Sequence, residues 1–190
     1  FSFPSLSSPP PLPNKYKSIV IEGPIGVGKT TLATKLASSL ESKLMLESFS
    51  ENPFLEKFYK DVGKFNKYTK TSKYALATQL YFLLQRADEF KGKEYQALKR
   101  HNIISDYFIE KDKLFAKTIL SSDEYLLYNR VHDGLKLDIE NPGLIIYLQT
   151  DAQTLSSRIK ERGVKFEGNI TEAYLQKIID SYTDFFHSYK

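Results

Sequence analysis

Gly23-Pro24-Ile25-Gly26-Val27-Gly28-Lys29-Thr30 satisfies the pattern G-x-x-x-x-G-K-[ST] at every fixed position. Ser18-Ile19-Val20-Ile21, just before it, is a short β-branched run and reads as a buried strand. Thr31 to Leu40, just after it, reads as a helix. A strand, a glycine-rich loop and a helix in that order make a triphosphate cradle, or P-loop. The glycines let backbone N–H groups turn inward, and the helix N-terminus adds positive potential. Gly23, Pro24, Ile25, Gly26, Val27, Gly28, Lys29, Thr30 and Thr31 are therefore the expected ATP-binding set. Lys29 is expected to reach the β- and γ-phosphates, and the Thr30 hydroxyl to ligate Mg²⁺.

The chain of 190 residues is long enough for one domain with a substantial core. No stretch of 18 apolar residues occurs, so no membrane span is expected. Cysteine is absent, which excludes thiol catalysis, disulfides and Cys-ligated zinc and fits a reducing, cytoplasmic setting. The formal net charge of +4 is spread along the chain. It suits an anionic ligand such as ATP and does not form a nucleic-acid-binding tail. Residues 1–14, with Pro9-Pro10-Pro11, read as a flexible tail or linker, and 15–190 as the folded domain.

After the first helix, Leu44-Met45-Leu46 reads as a second strand ending at Glu47, at the edge where parallel sheets bind ligands. An ordinary solvated Glu is the alternative. Asn52-Pro53 reads as a helix start, with Phe54, Leu55, Phe58 and Tyr59 as its apolar face. Ser72 to Phe90 is the longest helical pattern, apolar on more than one face, and reads as packed in the core and at a homodimer interface. Gln79 and Arg86 lie two turns apart on it and point the same way, either at a ligand or into solvent. Asn102 to Ser105 reads as a third strand with Asp106 at its end. That carboxylate either positions Mg²⁺ or caps the next helix. Helices follow at Tyr107–Leu120 and Asp123–Leu137, with Ser121-Ser122 as the break. Leu144 to Leu148 reads as a fourth strand, and Asp151 caps a helix to Arg162 that Gly163 ends. Arg158 and Arg162 share a face beside an expected mobile connection, Val164 to Asn169, before Thr171 caps the last helix. That suits a lid over about 158–169 closing on phosphates; a surface pair is the alternative. The order implies an α/β fold with a doubly wound parallel sheet.

Neither Asn-Lys pair is followed by the Asp of N-K-x-D, which disfavours a GTPase, and the glycine loop is not that of a protein kinase. Glu22-Gly23-Pro24-Ile25-Gly26-Val27-Gly28-Lys29-Thr30-Thr31-Leu32-Ala33, then Glu47, Asn52-Pro53-Phe54-Leu55, Gln79 with Arg86, and Arg158 with Arg162-Gly163, resembles the deoxynucleoside kinase family. The likeness is to its bacterial deoxyadenosine/deoxyguanosine kinase branch, from Lys15 to about Tyr189. The resemblance implies a P-loop kinase that uses ATP and Mg²⁺ to phosphorylate the 5′-hydroxyl of a deoxynucleoside, purine favoured, as a homodimer. It implies Glu47 as general base, Tyr68 on the sugar 3′-hydroxyl and Gln79 reading the base. It also implies Arg86 in base selection, Phe115 stacking on the base and Glu167 near the sugar. Arg158 and Arg162 become lid arginines on the transferring phosphate.

Three departures stand out. The family usually carries an arginine at the end of the third strand, where this chain has Ser105-Asp106-Tyr107, so Lys111 or Lys113 is expected to supply the charge. The lid reads Arg162-Gly163-Val164 rather than Arg-Gly-Arg. The family's usual fifth strand is not seen before Lys190, as in a truncated chain. Two other readings remain: a different small-molecule kinase, such as a nucleoside monophosphate kinase, and a nucleotide-binding module without turnover.

Overall fold

The computed structural model describes residues 13, 16–49, 51–62, 64 and 72–189. The expected tail lies almost wholly outside them, as does Tyr68. The element order is β1 (Ser18–Glu22), α1 (Lys29–Ser39), β2 (Lys43–Met45), α2 (Leu55–Val62), α3 (Ala75–Lys91), α4 (Lys93–Leu98) and β3 (Ile103–Ser105). It continues with α5 (Glu110–Ile119), α6 (Ser122–Leu135), β4 (Leu144–Tyr147), α7 (Ala152–Arg162), a 3-10 turn (Lys165–Asn169) and α8 (Glu172–Ser188). Among the described residues the four strands form one parallel sheet in the order β2-β3-β1-β4.

Alternation along β1 sorts the two layers. Ile19 and Ile21 pack with Ala33 and Ala37 of α1 and with Ile104 of β3. Glu22 points to the opposite side, where it meets Tyr182 of α8. There the larger core joins α2, α3 and α5 through α8, with Leu83, Ala116, Tyr128, Leu155 and Ile178 among its buried members. Each such large aliphatic side chain contributes about 1.5–3 kcal/mol by leaving water.

The caps follow the residue types. Ser121 accepts from the Glu124 N–H while the Glu124 carboxylate accepts from the Ser121 N–H, a reciprocal box that starts α6. Asp151 and Thr171 accept from the N–H groups of Thr154 and Tyr174. Gly163 ends α7 at φ 69°, in the left-handed region. Asn52 accepts from the Phe54 N–H and organises the turn before α2, which begins at Leu55.

Two expectations change. α4 is an added helix of six residues with no buried member, so it had no apolar period to betray it. The connection expected to be loose at Val164–Asn169 is an ordered turn. Phe166 stacks on Tyr59 with the ring planes 9° apart, and the Glu167 side chain is buried.

Candidate active site

The sheet topology brings the chemistry to one edge. β2 and β3 pair in register, Met45 opposite Ser105, so Glu47 and Asp106 emerge side by side at the C-terminal ends of the strands. The Glu47 N–H donates to Asp106 Oδ1 at 2.7 Å. The Thr30 hydroxyl donates to the other oxygen of Asp106 at 2.6 Å. Two hard oxygens therefore meet at the end of the P-loop, a donor pair that suits Mg²⁺. Among the described residues no three His, Cys, Asp or Glu side chains converge as a metal cage. Magnesium does not need one, since it usually keeps waters and phosphate oxygens beside one or two carboxylates.

The P-loop depends on its glycines. Gly23 has φ 151°, and a Cβ there would lie 2.6 Å from the Leu148 carbonyl oxygen, an immovable backbone atom. We expect Gly23→Ala to lose ATP binding by more than tenfold and to lower the melting temperature. A variant that binds ATP normally would refute the tight passage between β1 and β4. Gly26 is also in the left-handed region, at φ 82° against Ile159. Lys29 Nζ donates to the carbonyls of Gly23 and Pro24 at 2.7 and 3.2 Å. Burial lowers the Lys29 pKa to about 8, helped by the nearby Lys111 and opposed by Glu22, Glu47 and Asp106.

One cavity joins this loop to the interior. Gly23, Ile25, Gly26, Lys29 and Thr30 line one part of it together with Asp106. Glu47, Gln79, Asp112, Phe115, Arg162 and Glu167 line the rest with Tyr59, Tyr174 and Tyr182. The structure thus gathers most of the residues expected from the sequence. Phe115 stands edge-on to Tyr182, with the planes at 80°. Arg162 pairs with Glu167 across the base of the lid.

Of the described residues expected outside the P-loop, Arg158 and Arg86 do not line this cavity. Arg158 is exposed and donates to the Val27 carbonyl of the P-loop at 3.1 Å. Arg86 is 0% exposed, lies behind Glu47 and is not among the cavity-lining residues. Its Nη2 donates to Glu47 Oε1 at 2.8 Å, its Nη1 reaches Glu89 at 3.1 Å, and its guanidinium lies 4.2 Å from the centre of the Tyr107 ring.

Of the two lysines expected to replace the missing arginine, Lys111 is the one at the site. Its Nζ lies 2.6 Å from Glu47 Oε2, while Lys113 faces Asp133 at 3.9 Å. Burial would raise the Glu47 pKa, but Lys111 and Arg86 outweigh it and hold the carboxyl down at about 2. Asp112 was not singled out by the sequence. It is buried, accepts from the Tyr107 hydroxyl at 2.6 Å, and burial pushes its pKa up to about 6 against the pull of Arg86. Glu22 was quoted only as part of a motif. It accepts from the Gly23 N–H and the Tyr182 hydroxyl, both at 2.8 Å, so it ties the P-loop to α8. No spacing rule announces either residue: Tyr107 lies only five residues before Asp112 but outside any helical period, and Tyr182 reaches Glu22 from 160 residues away.

A model of the deoxynucleoside kinase family matches residues 19–190. The chain is similar to a deoxyguanosine kinase of Bacillus subtilis, 34% identical over 170 residues that span 89% of this chain and 78% of the relative. It is similar to a deoxyadenosine kinase of Lactobacillus acidophilus, 29% identical across 90% of this chain and 80% of the relative. Among solved structures, a deoxyadenosine kinase from M. mycoides with bound dATP superposes with a TM-score of 0.73 at 28% identity, covering 90% of this chain and 84% of that one.

Proposed function

Because the chain belongs to the deoxynucleoside kinase family and is an enzyme that phosphorylates deoxynucleosides, we propose that the cavity beside the P-loop holds both substrates at once. ATP lies along Gly23 to Thr31, and the nucleoside lies between Gln79 and Phe115 with its 5′-hydroxyl at Glu47. The observation that carries this reading is the shared wall: Lys29 and Thr30 line the same cavity as Glu47, Gln79 and Phe115. The hydroxyl oxygen attacks the γ-phosphorus, Glu47 accepts its proton, and the bond to the bridging oxygen breaks to release ADP. Lys29 and the P-loop N–H groups bind the phosphates, and Arg162 closes over them from the lid. Thr30 and Asp106 would hold Mg²⁺, which would supply positive charge against the phosphates.

Gln79 reads the base edge through its amide, and Phe115 supplies the stacking face. Asp112 adds a carboxyl to the same wall. The purine choice rests on the deoxyguanosine and deoxyadenosine kinases to which the chain is similar. A monophosphate as acceptor is not favoured, since its charge would meet the Glu47 carboxylate. The test is ADP release over the four deoxynucleosides. We expect deoxyguanosine or deoxyadenosine to exceed thymidine at least tenfold in kcat/KM. Turnover with none of them would overturn the two-substrate reading, and equal turnover of all four would overturn the base assignment alone.

A homodimer through α3 and α6 belongs to the same proposal. These two helices pack together and leave Leu84 at 49% and Leu126 at 63% exposed, with Leu127 beside them. Such a leucine surface favours burial against a second copy. Leu126→Glu is expected to halve the mass in light scattering; a monomeric wild-type chain would refute the interface. No helix of the described residues is long and apolar enough to cross a membrane. The reaction is assigned to the cytoplasm, with ATP and a deoxynucleoside as the partners.

A further inference from the structure

Glu47 carries a cation on each carboxylate oxygen, and the two cations differ in freedom. Arg86, on Oε1, is fully buried, stacked on Tyr107 and held on its other arm by Glu89. Lys111, on Oε2, stands on the first turn of α5 and lines the cavity itself. Its ammonium lies 5.9 and 5.7 Å from the ring centres of Tyr107 and Phe115. The charges around it are Glu47 after β2, Glu22 at the end of β1, Lys29 of α1 and Arg86 of α3, with Asp112 on its own helix. Lys111 thus stands between the acceptor carboxylate and the phosphate loop. A compact ammonium on a flexible four-carbon stem can change partners; a stacked guanidinium paired at both ends cannot do so without leaving two carboxylates behind.

We propose that Lys111 is a catalytic cation that exchanges partners, holding Glu47 in the free enzyme and passing to the γ-phosphate of bound ATP. The exchange frees Glu47 Oε2 for the 5′-hydroxyl, so this inference rests on the two-substrate reading above. In the transfer the hydroxyl oxygen bonds to the γ-phosphorus and its proton goes to Glu47. The electron pair of the broken bond leaves with ADP. Lys111 stays protonated throughout and stabilises the phosphoryl oxygens as charge shifts across them.

The test compares binding of the non-hydrolysable analogue AMP-PNP with binding of ADP by titration calorimetry, in wild type, Lys111→Gln, Lys111→Arg, Glu47→Gln and the Lys111→Gln/Glu47→Gln double variant. Wild type is expected to bind AMP-PNP more tightly than ADP. Lys111→Gln loses about tenfold or more of that preference, the worth of one charge-assisted hydrogen bond, while Lys111→Arg keeps most of it. Glu47→Gln binds AMP-PNP several-fold more tightly than wild type, with ADP unchanged, because Lys111 no longer has to be drawn from a carboxylate. That gain disappears in the double variant. A merely structural lysine would weaken AMP-PNP and ADP alike. An unchanged preference in Lys111→Gln, a gain that survives in the double variant, or no nucleotide binding by wild type would each overturn the proposal. Turnover is measured alongside: Lys111→Gln should lower kcat by roughly 10²–10³, as for loss of one preorganised donor. If wild type turns over no deoxynucleoside, the acceptor reading fails, and the AMP-PNP arm still decides Lys111.

Discussion

Glu47→Gln is expected to lower kcat by about 10²–10⁴ while leaving the KM for the nucleoside within a few-fold of wild type. The amide matches the carboxylate in shape and still accepts a hydrogen bond, so ground-state binding survives. What is lost is a proton acceptor needed only as the O–P bond forms, and general base catalysis accounts for a factor of that size. The carboxylate is suited to the task by position more than by basicity. Lys111 and Arg86 hold its pKa at about 2 in the free enzyme, well below the range of an efficient base. Occupation of the phosphate loop brings negative charge beside it and draws on the same cations, so its basicity rises when both substrates are present. A steady-state comparison over the four deoxynucleosides checks this, with melting curves to confirm folding. A kcat within threefold of wild type would remove Glu47 from the chemistry. Glu47→Asp, which keeps the charge but draws it back by one methylene, should fall between the two.

Arg86→Met should destabilise the fold by about 2–4 kcal/mol. Breaking a buried ion pair by removing one partner typically costs about 3–5 kcal/mol, because the other charge is left uncompensated. Here Glu47 keeps Lys111, and the Glu89 side chain is 31% exposed and can turn to water, which moves the expected loss to the lower end of that range and below it. In a chain of this length that corresponds to a fall in melting temperature of roughly 5–15 °C. The methionine fills much of the arginine's volume, so the loss reports charge rather than a cavity. The same substitution discriminates two roles for the residue. From the sequence Arg86 is expected to select the base. In the structure it stands behind Glu47, stacked on the Tyr107 ring, and does not line the cavity. We therefore expect Arg86→Met to reduce kcat/KM for all four deoxynucleosides by a similar factor. A changed base preference with unchanged stability would restore the selector role and refute the positioning one.

The contrast between Gln79 and Arg86 explains how much of the site was legible. Both lie on α3 two turns apart, so helical periodicity places them on one face and no more. Which of them meets a ligand depends on what stands in front of each. That is decided by Glu47 from the β2 edge and Tyr107 from the β3 edge, neither of which helical spacing on α3 can foresee. The lid shows the same limit. Gly163 marks the end of α7 correctly, yet the residues after it form a packed turn because Phe166 finds Tyr59 on α2. Lys111 and Lys113 are a third case. Two residues apart on a helix, they diverge by more than half a turn, and only the orientation of α5 against the sheet sends one to Glu47 and the other to Asp133.

What the sequence determined by itself was the donor half and the frame that carries it. The P-loop motif, the β-branched run before it and the apolar periods after it are local signals, because glycine conformations, strand alternation and helix caps act over a few residues. The tertiary structure alone decided the network around Glu47. Its two cations come from 39 and 64 residues away, and Asp106, which accepts the Glu47 N–H, from 59. An ion pair has no sequence period. It forms where the β2-β3-β1-β4 order and the packing of α3 and α5 bring charges together out of water, and no short stretch of the chain encodes that meeting.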